Sequence, residues 1–539
     1  MRDLIFKYAL QNAVKYKGKA SENAIIGKVF GECKDIDKKE VLEILPKVLE
    51  EINSMKFEEQ KAMLENLDPE MLKKKEKKER DIFASLNIGG KVITAFPPGP
   101  EKYPHIGHAK ALILNYELAK KHRGKFILRF EDTNPKLVKK EFYKIMVEDF
   151  KWLGVIWDKL VYASDYMDLY YKKAEEVIKK NKAYMCKCSV DTIRDYRAKG
   201  IACKCRENSI EENLKLWKEF FKAKEGSMVL RLKIDLTHNN TTMRDPTIFR
   251  IIDEEHARHG KKYRIWPNYD FQNAITDGYF KITHRIRSKE FELRSELQTY
   301  IQKLLGYGTT KIYEIGRLNI QGVPSSGRII REKIDKKELT GWDDPRLTTL
   351  VALRRRGFLP EAIKDFVLST GISKAEATMT WDDLISRNKK LLDINADRYF
   401  FVKEDAKKIE IKGVKKLKAK IPLHPDDESR GNNVIETEGN FLVDDKIEKG
   451  KVYRLIHLFN FVDYNFISQD YDPNLKATLI HWLPVKDLVK VKVVMDDCRV
   501  INGFCHKSIA NVKVGKVVQF ERFGFCRKND KNIFYFTHK

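Results

Sequence analysis

The segment that most limits what this chain can fold into runs from Lys91 to Pro135. Lys91–Phe96 (KVITAF) reads as a strand, and Pro97-Pro98-Gly99-Pro100 then stops any regular structure. From His108 onward, Ala109, Leu112, Ile113, Tyr116 and Ala119 recur at helical spacing, with Gly124 suited to the helix end. Lys125–Phe130 (KFILRF) is a second strand, closed by Glu131-Asp132-Thr133-Asn134-Pro135. Strand, loop, helix and strand make a βαβ unit, so a parallel sheet is expected. Ligands of such sheets bind beyond the carboxyl ends of the strands, where both loops lie.

The flanking regions follow other patterns. Residues 1–85 read as helical, with Leu42, Ile44, Leu45, Val48, Leu49, Ile52 and Met55 at three- and four-residue spacings. Met71 to Arg80 (MLKKKEKKER) has almost no apolar content and reads as a solvated helix or linker at a domain boundary. The stretch from Lys182 to about Met243 looks inserted into the sheet, and the alternation of Met228–Ile234 suits an antiparallel subdomain. Helical and loop patterns run from Ile265 to about Lys390. Beyond Asn395 come short strands, Tyr399–Val402, Lys408–Ile411, Lys451–Ile456, Val491–Val494 and Val517–Phe520, which favour small β-barrels.

Charge bears on partners rather than fold. The 539 residues carry 104 Lys and Arg against 78 Asp and Glu, a formal charge of +26, and a phosphate backbone is the leading partner. A generally Lys-rich composition that also holds many acids explains part of the surplus. No apolar run reaches the roughly 18 residues of a membrane span, and the N-terminus lacks an apolar core with a cleavage site. Four of eight cysteines, Cys186, Cys188, Cys203 and Cys205, form C-x-C…C-x-C, and the rest are scattered. Nothing suggests a disulfide framework, so a reduced cytoplasm is expected.

The sharpest motif is His105-Ile106-Gly107-His108, set between the first strand and its helix. Chance would supply about 0.01 such matches in a chain of this composition. Two imidazoles and a close-approach glycine at a helix N-terminus make an anion site, with free N–H groups and the helix dipole aimed at a phosphate. The plainer alternative is a loop histidine beside a capping histidine.

Phe96–His108 (FPPGPEKYPHIGH) resembles the HIGH signature of class I aminoacyl-tRNA synthetases. Leu128–Pro135 (LRFEDTNP), Trp266–Phe271 (WPNYDF), Ile282-Thr283-His284 and Gly341–Leu347 (GWDDPRL) are similar to the glutamyl/glutaminyl branch in its archaeal glutamyl form. His481-Trp482-Leu483-Pro484 resembles an element of that family's C-terminal barrels. The resemblance implies an α/β fold. It comprises a helical N-terminal region at 1–85, a Rossmann-type parallel-sheet catalytic domain in two halves at 86–181 and 261–340, and an inserted acceptor-binding subdomain at 182–260. A helical stem-contact region at 341–394 and β-barrel anticodon-binding domains at 395–539 complete it.

The implied reaction activates L-glutamate with ATP and Mg2+, then passes it to the terminal adenosine of tRNA(Glu). tRNA(Gln) is left open as a second acceptor, and a cytoplasmic monomer is expected. By the same resemblance His105 and His108 are donors to the ATP phosphates, Gly107 lets adenosine lie against the backbone, and Pro98 lines the same site. The family's lysine-bearing loop should lie just before GWDDPRL, but here it reads Val323–Lys333 (VPSSGRIIREK), where Arg328 is the nearest cation in register and Arg331 or Lys333 is the alternative. Glu131 meets the substrate ammonium, Tyr269 offers a phenolic donor, and Asn273 lies one helical turn beyond. Arg287 falls where glutamate enzymes carry an arginine. A buried side-chain carboxylate needs a compensating cation, so Arg287 favours glutamate over glutamine; a surface ion pair is the alternative. The family usually has a second arginine where this chain has Ala95. Either Arg287 works with another neighbour, or the alignment with the family slips by one residue.

Cys186, Cys188, Cys203 and Cys205 can place four thiolates around one structural Zn2+, with free buried cysteines as the alternative. Lys403–Lys420 holds eight lysines, fit for a tRNA-facing or merely solvated surface. Arg354-Arg355-Arg356 reads as RNA-facing or as a helix-end cluster. The competing functions are a glutaminyl-tRNA synthetase and a catalytically weak tRNA-binding paralogue.

Overall fold

A computed structural model describes residues 2–16, 18–32, 38–71 and 81–539. Cys33 and all but Met71 of the proposed linker lie outside the described residues. The chain forms two compact units, Met1–Asp81 and Ile82–Lys539. The division precedes the expected boundary at 85 because Phe83 is buried among Val92, Leu114 and Leu118 of the second unit.

The first unit contains α1 (Arg2–Lys15), α2 (Glu22–Glu32), α3 (Lys38–Ser54) and α4 (Phe57–Leu67). Its core joins Ile5, Leu10, Ile25, Val29, Leu45, Val48, Ile52 and Leu64. Leu42 departs from the expected apolar stripe and is 51% exposed, because the buried positions of α3 follow Val41 instead.

The second unit is built on a five-stranded parallel sheet. Its first half runs β1 (Ile93–Phe96), α5 (Ile106–Lys121), β2 (Lys125–Phe130), α6 (Lys140–Trp152), β3 (Lys159–Tyr162) and α7 (Met167–Lys179). An inserted segment then gives β4 (Ala183–Cys186), α8 (Val190–Lys199), α9 (Ile210–Phe220), β5 (Val229–Leu232), β6 (Thr247–Ile251) and β7 (Ile265–Pro267). These four strands pair antiparallel in the order β4-β5-β6-β7, so the inserted sheet extends past the expected limit of 260. The reason is the pairing of Arg250 with Trp266, which assigns the first two residues of the WPNYDF motif to that sheet's edge strand.

The parallel sheet resumes with α10 (Tyr269–Tyr279), β8 (His284–Ser288), α11 (Glu292–Leu304) and β9 (Lys311–Ile315), then β10 (Leu318–Ile320), α12 (Gly327–Asp335) and α13 (Leu350–Arg356). Strand order is β3-β2-β1-β8-β9, all parallel. Successive crossovers run outward from β1 on one side and from β8 on the other. The crevice between β1 and β8 is therefore the topological switch point, where ligands of open α/β sheets bind.

Gly124 ends the α5 turn for a steric reason that differs from the expected helix cap. His122 is the cap residue and Arg123 takes the positive φ of 49°. A Cβ on Gly124 would stand 2.1 Å from the Val92 carbonyl oxygen, so only glycine lets the chain enter β2 alongside the segment leading to β1.

Beyond α13, strands at Asp397–Tyr399, Val517–Phe520, Gly524–Asp530, Ile533–His538, Leu488–Val494, Val500–His506 and Phe401–Lys403 form one sheet in that order. Its two edge strands are separated by a single residue, Phe400, so the sheet curls back upon itself as a barrel. A second group of strands, between Lys407 and Pro484, encloses Trp482, Phe441, Phe459 and Phe461. All eight lysines of Lys403–Lys420 are exposed.

The arginine triplet is turned inward, and its helix-end reading is the one that fits. Arg356 is buried, with Nη2 donating to the Thr537 carbonyl (2.8 Å) and Nη1 to the Pro345 carbonyl (3.1 Å). Arg355 pairs with Asp343, and Arg354 lies 3.2 Å from Asp149. Among the described residues no helix is long and apolar enough to cross a membrane.

The Gly124 contact yields the first prediction. Gly124→Ala should cost about 1–3 kcal/mol, because backbone cannot yield as a flexible side chain would. A thermal unfolding midpoint several degrees lower is the expected result; an unchanged midpoint would refute the packing argument.

Candidate active site

The switch point assembles most of the residues singled out in the sequence. His105 caps α5 with extended backbone, its Nδ1 accepting the Gly107 N–H at 3.0 Å. His108 Nδ1 in turn accepts the His105 N–H at 3.2 Å. The rings sit 4.1 Å apart. Since both Nδ1 atoms accept backbone hydrogens, a neutral ring carries its proton on Nε2, and each imidazole presents one N–H donor. Burial and the nearby Lys102 ammonium hold both rings neutral, with His105 pushed down to about 3 and His108 well below its ordinary value. A Cβ on Gly107 would stand 2.8 Å from His105 Cε1, so the glycine first of all makes room for the folded-back ring.

Backbone bonds fix this turn to its surroundings. The Ile106 N–H donates to the Thr348 carbonyl (3.0 Å), and the Leu350 N–H to the Pro104 carbonyl (2.9 Å). The GWDDPRL motif supplies the rigid side of that seam. Its Asp344 is buried and accepts from the Thr340 N–H, the Arg346 N–H and the Arg346 guanidinium, which hold its carboxyl far below the usual range. Buried Pro98 accepts the Glu131 N–H through its carbonyl (2.9 Å), tying the loop after β1 to the end of β2.

Across the crevice lies a buried polar network that the sequence reading largely missed. Arg129, wholly buried in β2, donates from Nε to Glu131 (2.9 Å), from Nη1 to Asp277 (2.7 Å) and from Nη2 to Asn273 (2.7 Å). Arg285 of β8 binds both oxygens of Asp277 at 2.8 and 2.9 Å. Gln298 of α11 donates to Asp277 (2.8 Å) and accepts from Asn273 (2.8 Å) and from Arg287 Nη1 (3.0 Å). The two arginines hold Asp277 ionised, below its ordinary value, against burial. Glu131 goes the other way, raised because burial outweighs Arg129, and its Oε2 is buried without a partner among the described residues.

Arg287, at the carboxyl end of β8, is 6% exposed and makes no ion pair among the described residues. Its Nη2 donates to Ser295 (2.7 Å) and the Phe291 carbonyl (3.3 Å), its Nε has no partner among those residues, and burial lowers its affinity for the proton. This rules out the surface ion pair considered from sequence. Tyr269 opens α10 against Phe291, with its phenol raised by burial and pulled back by Arg285 and Arg287. Asn273 is brought to the same place, but its side-chain oxygen and nitrogen are both engaged by the network.

Ala95 acquires a structural explanation. It pairs with Ile127 of β2, and Thr94 pairs with His284 of β8, so Ala95 shares a sheet face with Arg129 and Arg285. The neighbouring guanidiniums come from the two flanking strands. Arg328 is not drawn inward. It lies in the first turn of α12, its side chain 84% exposed and 3.5 Å from Glu332.

The four cysteines converge away from this crevice. Cys186 ends β4, Cys188 precedes α8, and Cys203 and Cys205 lie in the turn after it. Their sulfurs all lie within 4.8 Å of one another, with Cys186 and Cys203 at 3.9 Å. Tetrahedral Zn2+ with 2.3 Å bonds sets sulfurs about 3.8 Å apart, so the donor set fits that ion.

Arg129 was present in the LRFEDTNP motif, whereas Asp277, Arg285 and Gln298 carry no local signal; only the fold brings them together. With that geometry in place, comparison with known proteins is consistent along the whole chain. Residues 91–394 match the catalytic-domain model of class I tRNA synthetases (E and Q), and residues 396–479 and 479–529 match two anticodon-binding-domain models of the same group. The glutamate–tRNA ligase of Pyrococcus furiosus is 42% identical, covering 99% of this chain and 99% of its own. That of Methanococcus maripaludis is 38% identical over the full length of both, and that of Methanocaldococcus jannaschii 40% over 99% of this chain and 98% of its own. The chain belongs to the class I tRNA synthetases of the E and Q type.

Proposed function

We propose that the chain is an ATP-dependent glutamate–tRNA ligase. The observation that carries this reading is Arg287, a buried guanidinium with no carboxylate partner among the described residues, placed at the carboxyl end of a switch-point strand. Three guanidiniums, Arg129, Arg285 and Arg287, face Asp277 and Glu131 directly, and Glu314 reaches Arg287 only through the Ser295 hydroxyl. A substrate side-chain carboxylate supplies the missing negative charge, whereas a neutral amide leaves Arg287 uncompensated. The full-length similarity to glutamate–tRNA ligases supports the same choice, and the glutamine enzyme is disfavoured by the same excess charge.

In this mechanism Glu131 Oε2 receives the substrate ammonium, and Tyr269 donates its phenolic hydrogen beside it. Asn273 acts one layer back, holding Arg129 and Gln298 so that Arg287 keeps its direction. His105 and His108 present their Nε2 hydrogens to the phosphates of Mg2+-bound ATP at the positive end of the α5 dipole. The first N–H groups of α5, expected from sequence to be free for a phosphate, are instead taken up by the Thr348 carbonyl, the His105 ring and the His105 carbonyl. The α-carboxylate attacks the α-phosphorus, and the bond to the bridging oxygen breaks, releasing pyrophosphate. The acyl group then passes from the adenylate to a terminal hydroxyl of tRNA. The protein's share is positioning and charge stabilisation, not covalent chemistry. The anticodon-binding barrels and their exposed lysines suit a tRNA partner. Zn2+ on the four cysteines would staple β4 to the turn after α8, holding the inserted subdomain's shape.

Charging of tRNA with labelled glutamate or glutamine tests the reading directly. The wild-type protein should charge with glutamate and strongly reject glutamine; the opposite preference, or no charging at all, would overturn it. Arg287→Ala should raise KM for glutamate on the order of 10²-fold and narrow the preference over glutamine. For the cysteine site, elemental analysis of protein prepared without chelator should give one zinc per chain, lost when Cys203 and Cys205 become serine. Metal-free wild-type protein would contradict the assignment.

A further inference from the structure

Departure of pyrophosphate builds negative charge that a neutral imidazole pair cannot fully offset, and both His105 and His108 are neutral. The sequence offered Arg328 as the cation, but its side chain faces solvent and leans on Glu332. Of the two alternatives in the same loop, Arg331 is exposed and Lys333, further along α12, is held by Glu338 at 2.7 Å. A different ammonium is already in place. Lys102 stands in the loop that leads into the histidines, half-buried, and among the described residues it makes no ion pair. Its positive field depresses both imidazoles and reaches Glu290 just beyond β8. The loop that carries it joins β1 to α5, and its stem runs beside Gly327 at the start of α12.

The position of Lys102 depends on Gly327, the first residue of α12. A Cβ built on Gly327 would stand 3.1 Å from Lys102 Cδ and 3.9 Å from its Cβ, with the Trp342 ring edge at 3.8 Å. The absence of a side chain at 327 is what leaves a channel for the lysine stem. Tyr103 stacks on Trp342 at 5.3 Å, anchoring the loop on its far side so that the stem is directed along that channel. A half-buried ammonium that makes no ion pair among the described residues, in the loop that leads into two neutral N–H donors, has the composition of a polyphosphate clamp.

We propose that Lys102 is the catalytic cation of the adenylation step, its ammonium donating to oxygens of the departing pyrophosphate. The electron pair of the breaking α-phosphorus–oxygen bond moves onto the bridging oxygen, and Lys102 neutralises the charge that collects there. No proton transfer is required. This rests on the ATP site assigned above.

Single-turnover formation of glutamyl-tRNA with the full chain tests it. Lys102→Met should lower the rate on the order of 10²-fold or more while changing KM for ATP only a few-fold. Moving the charge across the channel, with Lys102→Gly and Gly327→Lys together, should restore the rate to within about tenfold of wild type, since the ammonium then enters from the other wall. A Lys102→Met rate within about threefold of wild type overturns the proposal. So does a large loss from Arg328→Ala beside a silent Lys102→Met, which returns the role to Arg328. The reading beneath it is checked separately by the double variant His105→Ala, His108→Ala: full activity there discards the ATP site itself, whereas an inactive double variant beside a silent Lys102→Met removes Lys102 alone.

Discussion

The ion pair between Arg129 and Asp277 is the constraint on which the site rests. Both side chains are wholly removed from solvent, and they join β2 to α10 across 148 residues of sequence. Breaking one partner of such a pair leaves an uncompensated buried charge, at a cost of about 3–5 kcal/mol. The pair is supported because both members have further partners. Arg129 also reaches Glu131 and Asn273, and Asp277 also receives Arg285 and Gln298. Four elements, β2, α10, β8 and α11, are held in register at the carboxyl edge of the sheet as a result.

That rigidity has a functional consequence. Gln298 is oriented by Asp277 and Asn273, and Gln298 then accepts from Arg287. Arg287 is thus aimed by neutral groups and makes no direct ion pair among the described residues. Glu131 shows the complementary situation, with one oxygen satisfied by Arg129 and the other buried and open. A cation without a direct anion partner on β8 and an anion with a free oxygen at the end of β2, the two strands that flank β1, match the two ends of a glutamate molecule.

Much of this fold could be read from local pattern. Lys125–Phe130 matches β2 residue for residue because a buried parallel strand is a nearly unbroken apolar run. His105 and His108 were legible because their chemistry lies within one turn. What escaped the sequence depends on distant packing. Arg129 reads as a polar interruption in a strand until Asp277 arrives to pair with it. Ala95 looked like a loss until Arg285 on the neighbouring strand took the adjacent place. Arg354–Arg356 looked like a nucleic-acid contact, yet Arg356 is spent on the Thr537 and Pro345 carbonyls. Lys102 was hidden inside a proline-rich loop that reads simply as a break between elements.

The central claim is that Arg287 waits for the substrate's side-chain carboxylate. The most direct measurement is a crystal structure with a non-hydrolysable glutamyl-adenylate analogue. The account predicts the side-chain carboxylate in a two-pronged contact with Arg287, at about 2.8 Å, and the ammonium on Glu131. A bound analogue whose side chain lies elsewhere, with Arg287 still held only by Gln298, Ser295 and Phe291, would contradict it.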